Sequence, residues 1–453
     1  MNWIRVPLAG LVFWGTSMWT MGADVQAERV LTLAEARATA LRNHPRISAA
    51  ELKALAAREV VAETRSAFFP IITFNATAVG TSQQNTRIAA GSLSNPAIYE
   101  RYAEGFAASQ LITDFGRSAN LAASSRLHAQ AEERNTEATR AQVVLAVDTA
   151  YFSALAAQSV QQVAEQTVAT RQLLSDQIST LASNQLRSEL DANFARVSLE
   201  EGQILLVKSE NDVKASMATL SMLLGDRGNP DYRLSENTSS ASPVGDIEPL
   251  MARALLNRPE LARLRLEHDA AERFARAEKA LNYPTISAVG AAGVIPVGDS
   301  VFAPNYAAAG VNFNLPIFAG GLFSARHREA ELKARASEES LREEEDNIVR
   351  DVRIAWLDVR YASERLRLTE NLVTSARQTF ELAQARYRTG SSSIVELSQA
   401  QLNLTGAEIA HATARYEFQT KESILDYQTA NSLPLAIDNA PEISNENPHA
   451  QNN

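Results

Sequence analysis

From Ile348 to Tyr387, apolar and small residues recur at alternating steps of four and three: Ile348, Val352, Ala355, Val359, Ala362, Leu366, Thr369, Val373, Ala376, Phe380, Ala383 and Tyr387. That spacing is a coiled-coil seam, and its alanines let a partner helix approach closely. The seam lies in a proline-free stretch, Leu322 to Leu433, whose only glycines are Gly390 and Gly406. A second proline-free stretch runs from Arg117 to Leu224 with Gly202 alone. Both predict long helices. Continuous helix from Leu322 to Thr389 would reach on the order of 100 Å, far beyond a compact domain. The seam stops at "YRTGSSSIVEL", where Gly390 can take the left-handed conformation that ends a helix and reverses the chain. Ser393 and Glu396 just beyond it have the spacing of a capping box at the start of a returning helix. In the first stretch the reversal falls at Ser183-Asn184, since asparagine tolerates the left-handed region.

Ahead of each long helix the pattern changes to period two. Ile72, Phe74, Ala76 and Ala78 share one face against Thr73, Asn75 and Thr77; Val311, Phe313 and Leu315 oppose Gly310, Asn312 and Asn314. Such alternation over about ten residues fits a transmembrane barrel strand. An ordinary half-buried hairpin carries the same alternation, so the neighbouring elements have to decide. Helical stretches precede the strands, Leu33 to Ser66 and Leu250 to Leu281, each followed by a proline.

The halves resemble each other. "ALRNHPRISAAE" from Ala40 matches "ALLNRPELARLR" from Ala254, and "FFPIITFNATAVG" matches "NYPTISAVGAAGV"; the proline offsets 259 − 45 and 284 − 70 are both 214. Further on, Tyr151 pairs with Trp356 and Leu190 with Leu397, at offsets of 205 and 207. Two internal repeats follow, each helix, two strands, long helix, turn, returning helix. Residues 28–224 form the first, with strands at about 68–115 and a tip near 183–188; residues 248–433 form the second, with strands at about 282–318 and a tip near 389–393. A connector at 225–247 and a flexible tail at 434–453 complete the chain.

The chain has 453 residues, a net charge of −10 and no cysteine. Acidity argues against nucleic acid, and the missing cysteine excludes disulfides, thiolate metal sites and an amino-terminal lipidated cysteine. Arg5, an apolar run from Val6 to Trp19 and "ADVQA" ending at Ala27 read as a signal peptide over 1–27. As a membrane anchor the run is too short and is broken by Pro7. Later segments lack any continuous apolar span of that length, so a further membrane crossing would be made of strands. Catalysis finds no support: there is no phosphate-binding loop, and His44, His128, His268, His327 and His411 show no metal-ligand spacing. "EEED" at Glu343 reads as a solvated helix face. "GAAGV" at Gly290 reads as close packing on a strand. No cofactor, catalytic residue or metal site is expected.

The paired "AL.N.P" entries, "SQLITDFGR", "LPIFAGGLF" and "YRTGSSSIVEL", in this order and duplicated, resemble the TolC family of outer-membrane exit ducts. The resemblance spans nearly the whole chain after Ala27. It implies a mixed α+β membrane protein: a coiled-coil α-barrel forming a periplasmic tunnel, joined to a transmembrane β-barrel built from four strands per chain in a homotrimer. Strand arithmetic agrees, because four strands cannot close, eight enclose only side chains, and twelve can conduct. The implied role is the passive outer-membrane channel of an efflux pump or type I secretion system in a Gram-negative cell. Its implied partners are outer-membrane lipid, a periplasmic adaptor and an inner-membrane transporter of the ABC or RND type. The family's gate residues fall on Glu189, Glu396 and Tyr387. Two positions depart: Ser392 stands where the best-known members have a link arginine, and Gln399 where they have a second aspartate, so fewer bonds and charges are expected at the constriction. Ser183, Asn184, Thr389, Gly390 and Ser391 should face the adaptor, although all are also good turn residues. A soluble periplasmic coiled-coil adaptor or spacer is the rival reading, sharing the signal and the heptads but not needing the strands.

Overall fold

The structure is a computed structural model of the full chain and describes residues 29–79, 101–226, 232–236, 245–294 and 304–431. The expected signal peptide at 1–27, the tail at 434–453 and most of the connector lie outside the described residues. In chain order the elements are β1 (Arg29–Leu31), α1 (Leu33–Asn43), α2 (Pro45–Arg65), β2 (Ile71–Val79), β3 (Arg101–Thr113), α3 (Arg117–Ser183) and α4 (Glu189–Leu224). There follow β4 (Tyr232–Leu234), α5 (Ile247–Asn257), α6 (Pro259–Lys279), β5 (Thr285–Val294), β6 (Asn305–Asn314), α7 (Leu322–Arg388) and α8 (Ile394–Gln428).

Helix length sets the architecture. α3 and α7 have 67 residues each, about 100 Å at the α-helical rise. Near the strands they pack beside α2 and α6, in the lateral order α2, α3, α6, α7. Toward the far end the order is α4, α3, α8, α7. The seam residues of α7 take their expected side: Ile348, Val352, Ala355, Val359, Ala362, Ala383 and Tyr387 are all buried.

The stretches expected as single helices before the strands are each two. Pro45 and Pro259 start new helices at the first position, because a residue without an N–H, whose ring clashes with the preceding turn, is accommodated only there. The His44 ring Nδ1 accepts from the Arg46 N–H at 3.2 Å and caps the second helix. Thr32 opens α1 with a complete capping box: its hydroxyl accepts from the Glu35 N–H at 3.2 Å, and the Glu35 carboxylate accepts from the Thr32 N–H at 3.0 Å.

Midway along the helices lies a core of Val143, Val147, Tyr151, Leu155, Leu220, Leu224 and Tyr416. It supports a small sheet the sequence did not announce: β1 pairs in parallel with β4, Val30 opposite Arg233. Part of the expected loop connector is therefore strand. Two strands alone are marginal in water. Here the fully buried Tyr151 shares its hydroxyl between the carbonyls of Leu31 at 2.9 Å and Ser235 at 2.7 Å, fastening both strands to α3. Beside it Arg37 reaches Asp148 through two bonds of 2.6 and 2.7 Å, and Asp148 is buried.

The main sheet is antiparallel throughout, in the order β2-β3-β5-β6. Its register pairs Phe74 with Phe106, Phe106 with Ala292 and Ala292 with Ala307, so these residues share a face with Ile72, Val311 and Phe313. The opposite face carries Thr73, Asn75, Asn312 and Asn314. Phe74, Phe106 and Phe313 stand exposed, and the rings of the first two lie 5.2 Å apart. On the polar face the Tyr306 ring lies across Gly105 and Gly293: a Cβ on Gly293 would sit 2.5 Å from the Tyr306 hydroxyl oxygen. The glycine run "GAAGV" thus serves close packing. Among the described residues the sheet does not close on itself, and β2 and β6 are its edges.

A half-buried carboxyl on α8 gives the fold a pH dependence. Burial first, then Asp426 one turn along α8, pushes Glu422 from its ordinary value of 4.5 up to about 7. An acid whose folded pKa is raised stabilises the fold while protonated, and that contribution is lost as pH climbs from 4.5 to about 7. The melting temperature should fall across this window and then level off. Glu422→Gln should remove that part of the slope, as thermal scans of both proteins at several pH values would show.

Candidate gate at the helix tips

Both long helices end in the same six-residue turn, built from different residues. At the α7 tip the Ser391 N–H donates to the Arg386 carbonyl at 2.8 Å and the Gly390 N–H to the Tyr387 carbonyl at 3.0 Å, with Gly390 at φ 75°. This is a Schellman turn with glycine in its left-handed position. At the α3 tip the Leu186 N–H donates to Leu181 and the Gln185 N–H to Ala182, each at 2.9 Å. The left-handed residue there is Gln185, at φ 61°, rather than Ser183 or Asn184. A non-glycine residue in that region costs about 1–2 kcal/mol. Asn184 is used differently: as the cap it donates its side-chain amide to the Thr180 carbonyl at 2.8 Å.

The remaining tip hydroxyls are spent locally as well. Ser183 donates to the Thr180 carbonyl at 2.9 Å, and Thr389 to the Arg386 carbonyl at 3.0 Å with the Ser391 hydroxyl 3.1 Å away. What the tips leave open is apolar: Leu186 is 69% and Leu190 62% exposed.

Tyr387 is the hub between the two hairpins. Its side chain is buried among Ile178, Ala192, Ala195, Ile394 and Leu397, drawn from α3, α4 and α8. Its hydroxyl is buried without a hydrogen-bond partner. Burial, and next Asp191, push the phenol's pKa up, while Arg187 opposes them. Arg187, in the α3–α4 turn, places its guanidinium 4.5 Å from the Tyr387 ring centroid and donates to the Tyr387 carbonyl at 2.7 Å. A cation thus reaches Tyr387 from the opposite hairpin, where Ser392 offers none.

Glu396 departs from the expected capping box. Ser393 does accept from the Glu396 N–H at 3.3 Å, but the carboxylate does not return the bond. It accepts from Arg386 at 2.8 Å and from the Ser392 hydroxyl at 2.7 Å, closing a small network across the turn. The physical reason is competition: the Arg386 guanidinium brings a full positive charge to its hydrogen bond with the carboxylate, which a backbone N–H does not carry. Gln399, one turn further, is exposed and donates to Asn403 at 3.0 Å. Glu189 stands exposed at the first position of α4 and, among the described residues, forms no ion pair.

Of the gate residues expected from sequence, Tyr387 and Glu396 lie around one turn, Gln399 lies beside them, and Glu189 belongs to the other tip. Arg187, Arg386 and Asp191 were missed. Arg386 had a signal, since cations favour the last turn of a helix. Arg187 acts across 200 positions and had none.

Comparison with known proteins agrees with this architecture. The profile of the family described as "Outer membrane efflux protein" matches residues 36–226 and 250–427. The cation efflux system protein CusC of Escherichia coli K12 is 24% identical over 353 residues, covering 75% of this chain and 72% of CusC. TolC of the same organism is 22% identical over 291 residues, 61% of this chain and 59% of TolC. The solved structure of the Campylobacter jejuni CmeC outer-membrane channel superposes with a TM-score of 0.78 at 17% identity, covering 90% of this chain and 87% of that one. With its profile match across both halves, its duct-like fold and its paired tips, the chain belongs to the outer membrane efflux protein family.

Proposed function

We propose that three copies of this chain close into one channel-tunnel, whose sheet crosses the outer membrane and whose helices extend into the periplasm, with efflux substrates passing through it passively. Membership in the efflux family makes it an outer-membrane channel component; the trimer, the strand count and the gate are the finer reading. The observation that carries them is that every layer ends in the same two bare edges. β2, α2 and α4 bound one side, and β6 and α7 the other. Val197, Ile204 and Val207 stand 54–71% exposed on α4, and Leu357, Tyr361, Leu368 and Leu372 stand 52–60% exposed on α7. A cyclic, head-to-tail contact covers one edge with the other in all layers together. Three copies give twelve strands, a barrel wide enough to conduct. A soluble spacer is not favoured, because it would leave Phe74, Phe106 and Phe313 facing water.

The two halves, which share one element order, act as two structural repeats in this assembly. Each contributes a strand pair to the barrel and a helical hairpin to the tunnel. The tips are the gate and the adaptor-facing end, and an inner-membrane transporter beyond the adaptor supplies cargo and energy. Arg187 clamps Tyr387 and so ties one hairpin to the other in the closed state. Glu396 is balanced by Arg386, so the uncompensated negative charge at the constriction comes from Glu189. Like charges around a narrow passage raise local cation concentration.

Mass measurement after mild detergent extraction should give a trimer; a monomer would count against the closure argument. In planar bilayers under a salt gradient, Arg386→Gln should increase cation preference. Glu396→Gln should decrease it, because Arg386 is then unbalanced. Neither should move thermal stability by more than about 1 kcal/mol, as befits an exposed ion pair. If both variants keep wild-type reversal potentials, these charges do not line the passage. Arg187→Ala should speed amide hydrogen exchange around residues 384–391 by releasing a charge-assisted bond worth about 1.5–3 kcal/mol. Tyr387→Phe, removing a hydroxyl without a partner, should leave that exchange nearly unchanged.

A further inference from the structure

At the end of the main sheet nearest the helices, the junctions between strands and helices carry side chains that fit neither water nor the folded core. Ile317 and Phe318, in the turn from β6 to α7, are 93% and 89% exposed. On the neighbouring junctions Phe69 is 64% exposed, and Phe115 and Tyr283, 53% and 47% exposed, lie with ring centroids 5.9 Å apart. Single apolar residues on a surface need no account, but a collar of them at one level does.

Unpaired charge at the same level is mainly basic. Arg65 ends α2, Lys279 ends α6, and Arg326 and Arg328 sit in the opening turns of α7. All four are exposed, and among the described residues none joins an ion pair. Elsewhere on the helices exposed cations are commonly paired, as Lys333 is with Glu329 and Arg276 with Glu272. The acids nearest the collar are mostly withheld from these cations: Asp114 accepts from the Ser118 N–H and hydroxyl at 2.8 and 2.6 Å, and Glu278 is buried. Glu63, exposed on α2, and Glu329, exposed on α7 and within the field of Arg326 though bonded to Lys333, are the exceptions.

We infer that this collar binds anionic glycerophospholipid in the periplasmic leaflet of the outer membrane, with the apolar side chains among the acyl chains and Arg65, Lys279, Arg326 and Arg328 at the phosphate level. The inference rests on the sheet being the membrane-crossing part. Its chemistry is that of an interfacial anchor: apolar side chains enter the acyl boundary and basic side chains meet the headgroups. The collar then fixes how deep the sheet sits.

Trp356 is the sole tryptophan after position 27 and lies far down α7, so Phe318→Trp adds a local fluorescent reporter. The protein is reconstituted into phosphatidylcholine vesicles with or without phosphatidylglycerol, using brominated acyl chains on one lipid at a time. Quenching of the added indole by brominated phosphatidylcholine is expected. Brominated phosphatidylglycerol at the same mole fraction should quench more, and the excess should shrink about fivefold for each cation removed in Arg326→Gln and Arg328→Gln. Protein that inserts with an unquenched added indole would overturn the collar and point to a second copy covering Phe318. Equal quenching by the two lipids, or an excess abolished by inorganic phosphate, would overturn the anionic-lipid assignment. Failure to insert at all would refute the membrane reading of the sheet instead.

Discussion

The unpaired backbone of β2 and β6 constrains everything else. In hydrocarbon a bare N–H or C=O has no water to turn to, so an open sheet edge is not tolerated there and only closure removes it. A chain whose sheet ends at β2 and β6 cannot meet that requirement alone. The helices carry the same constraint in another currency. Their lateral order leaves α4 and α7 with apolar flanks uncovered on the same two sides. Because both layers lack the same partner, the proposed cyclic assembly would complete them with one symmetry operation, and the junctions between strand and helix would not need to adjust separately.

That economy depends on continuity. α3 and α7 start within a few residues of β3 and β6 and run without interruption to the tips, so any rotation of the proposed barrel is carried into the tunnel. The interruptions fall on other elements. Pro45 and Pro259 split the shorter helices, leaving α1 to pack on the waist core around Tyr151 and α5 on a separate cluster with Ile348 and Val352 of α7. The β1–β4 pair closes the same waist and holds the connector between the halves against α3.

Much of this was legible in the residues. A 4-3 repeat sustained from Ile348 to Tyr387 has one helical solution, and its seam is the buried side of α7. Period-two alternation around Phe74 and Phe313 is likewise read directly into one face of the sheet. What escaped were interactions decided by distant partners. β1 and β4 are three residues each, too short for a pattern, and exist because Tyr151 and the waist core hold them. The turn at Gln185 was misplaced because Asn184, the better left-handed residue by propensity, forms the cap instead. Glu396 looked like a cap by spacing, and only its proximity to Arg386 redirects it. The cation at Arg187 could not be found from the neighbourhood of Tyr387, since the bond joins separate hairpins.

The distribution of these strengths bears on how such a duct could open without falling apart. Sheet closure satisfies many backbone groups in a medium where each is expensive to leave unpaired. The waist is held by packing and by the Arg37–Asp148 pair, whose carboxylate is buried while its guanidinium stays partly exposed, so that removing Arg37 would leave a buried charge without its partner. At the tips Ser183, Asn184 and Thr389 are bonded within their own turns, the Arg386–Glu396 pair is exposed on both sides, and the Tyr387 hydroxyl makes no bond to be broken. What joins the two hairpins there is the packing around Tyr387 and the contact from Arg187. Parting them costs less than disturbing either of the other levels, so the weakest level is the one farthest from the proposed membrane barrel. A partner that offered the exposed Leu186 and Leu190 an apolar surface would recover in binding what the tip loses on separating.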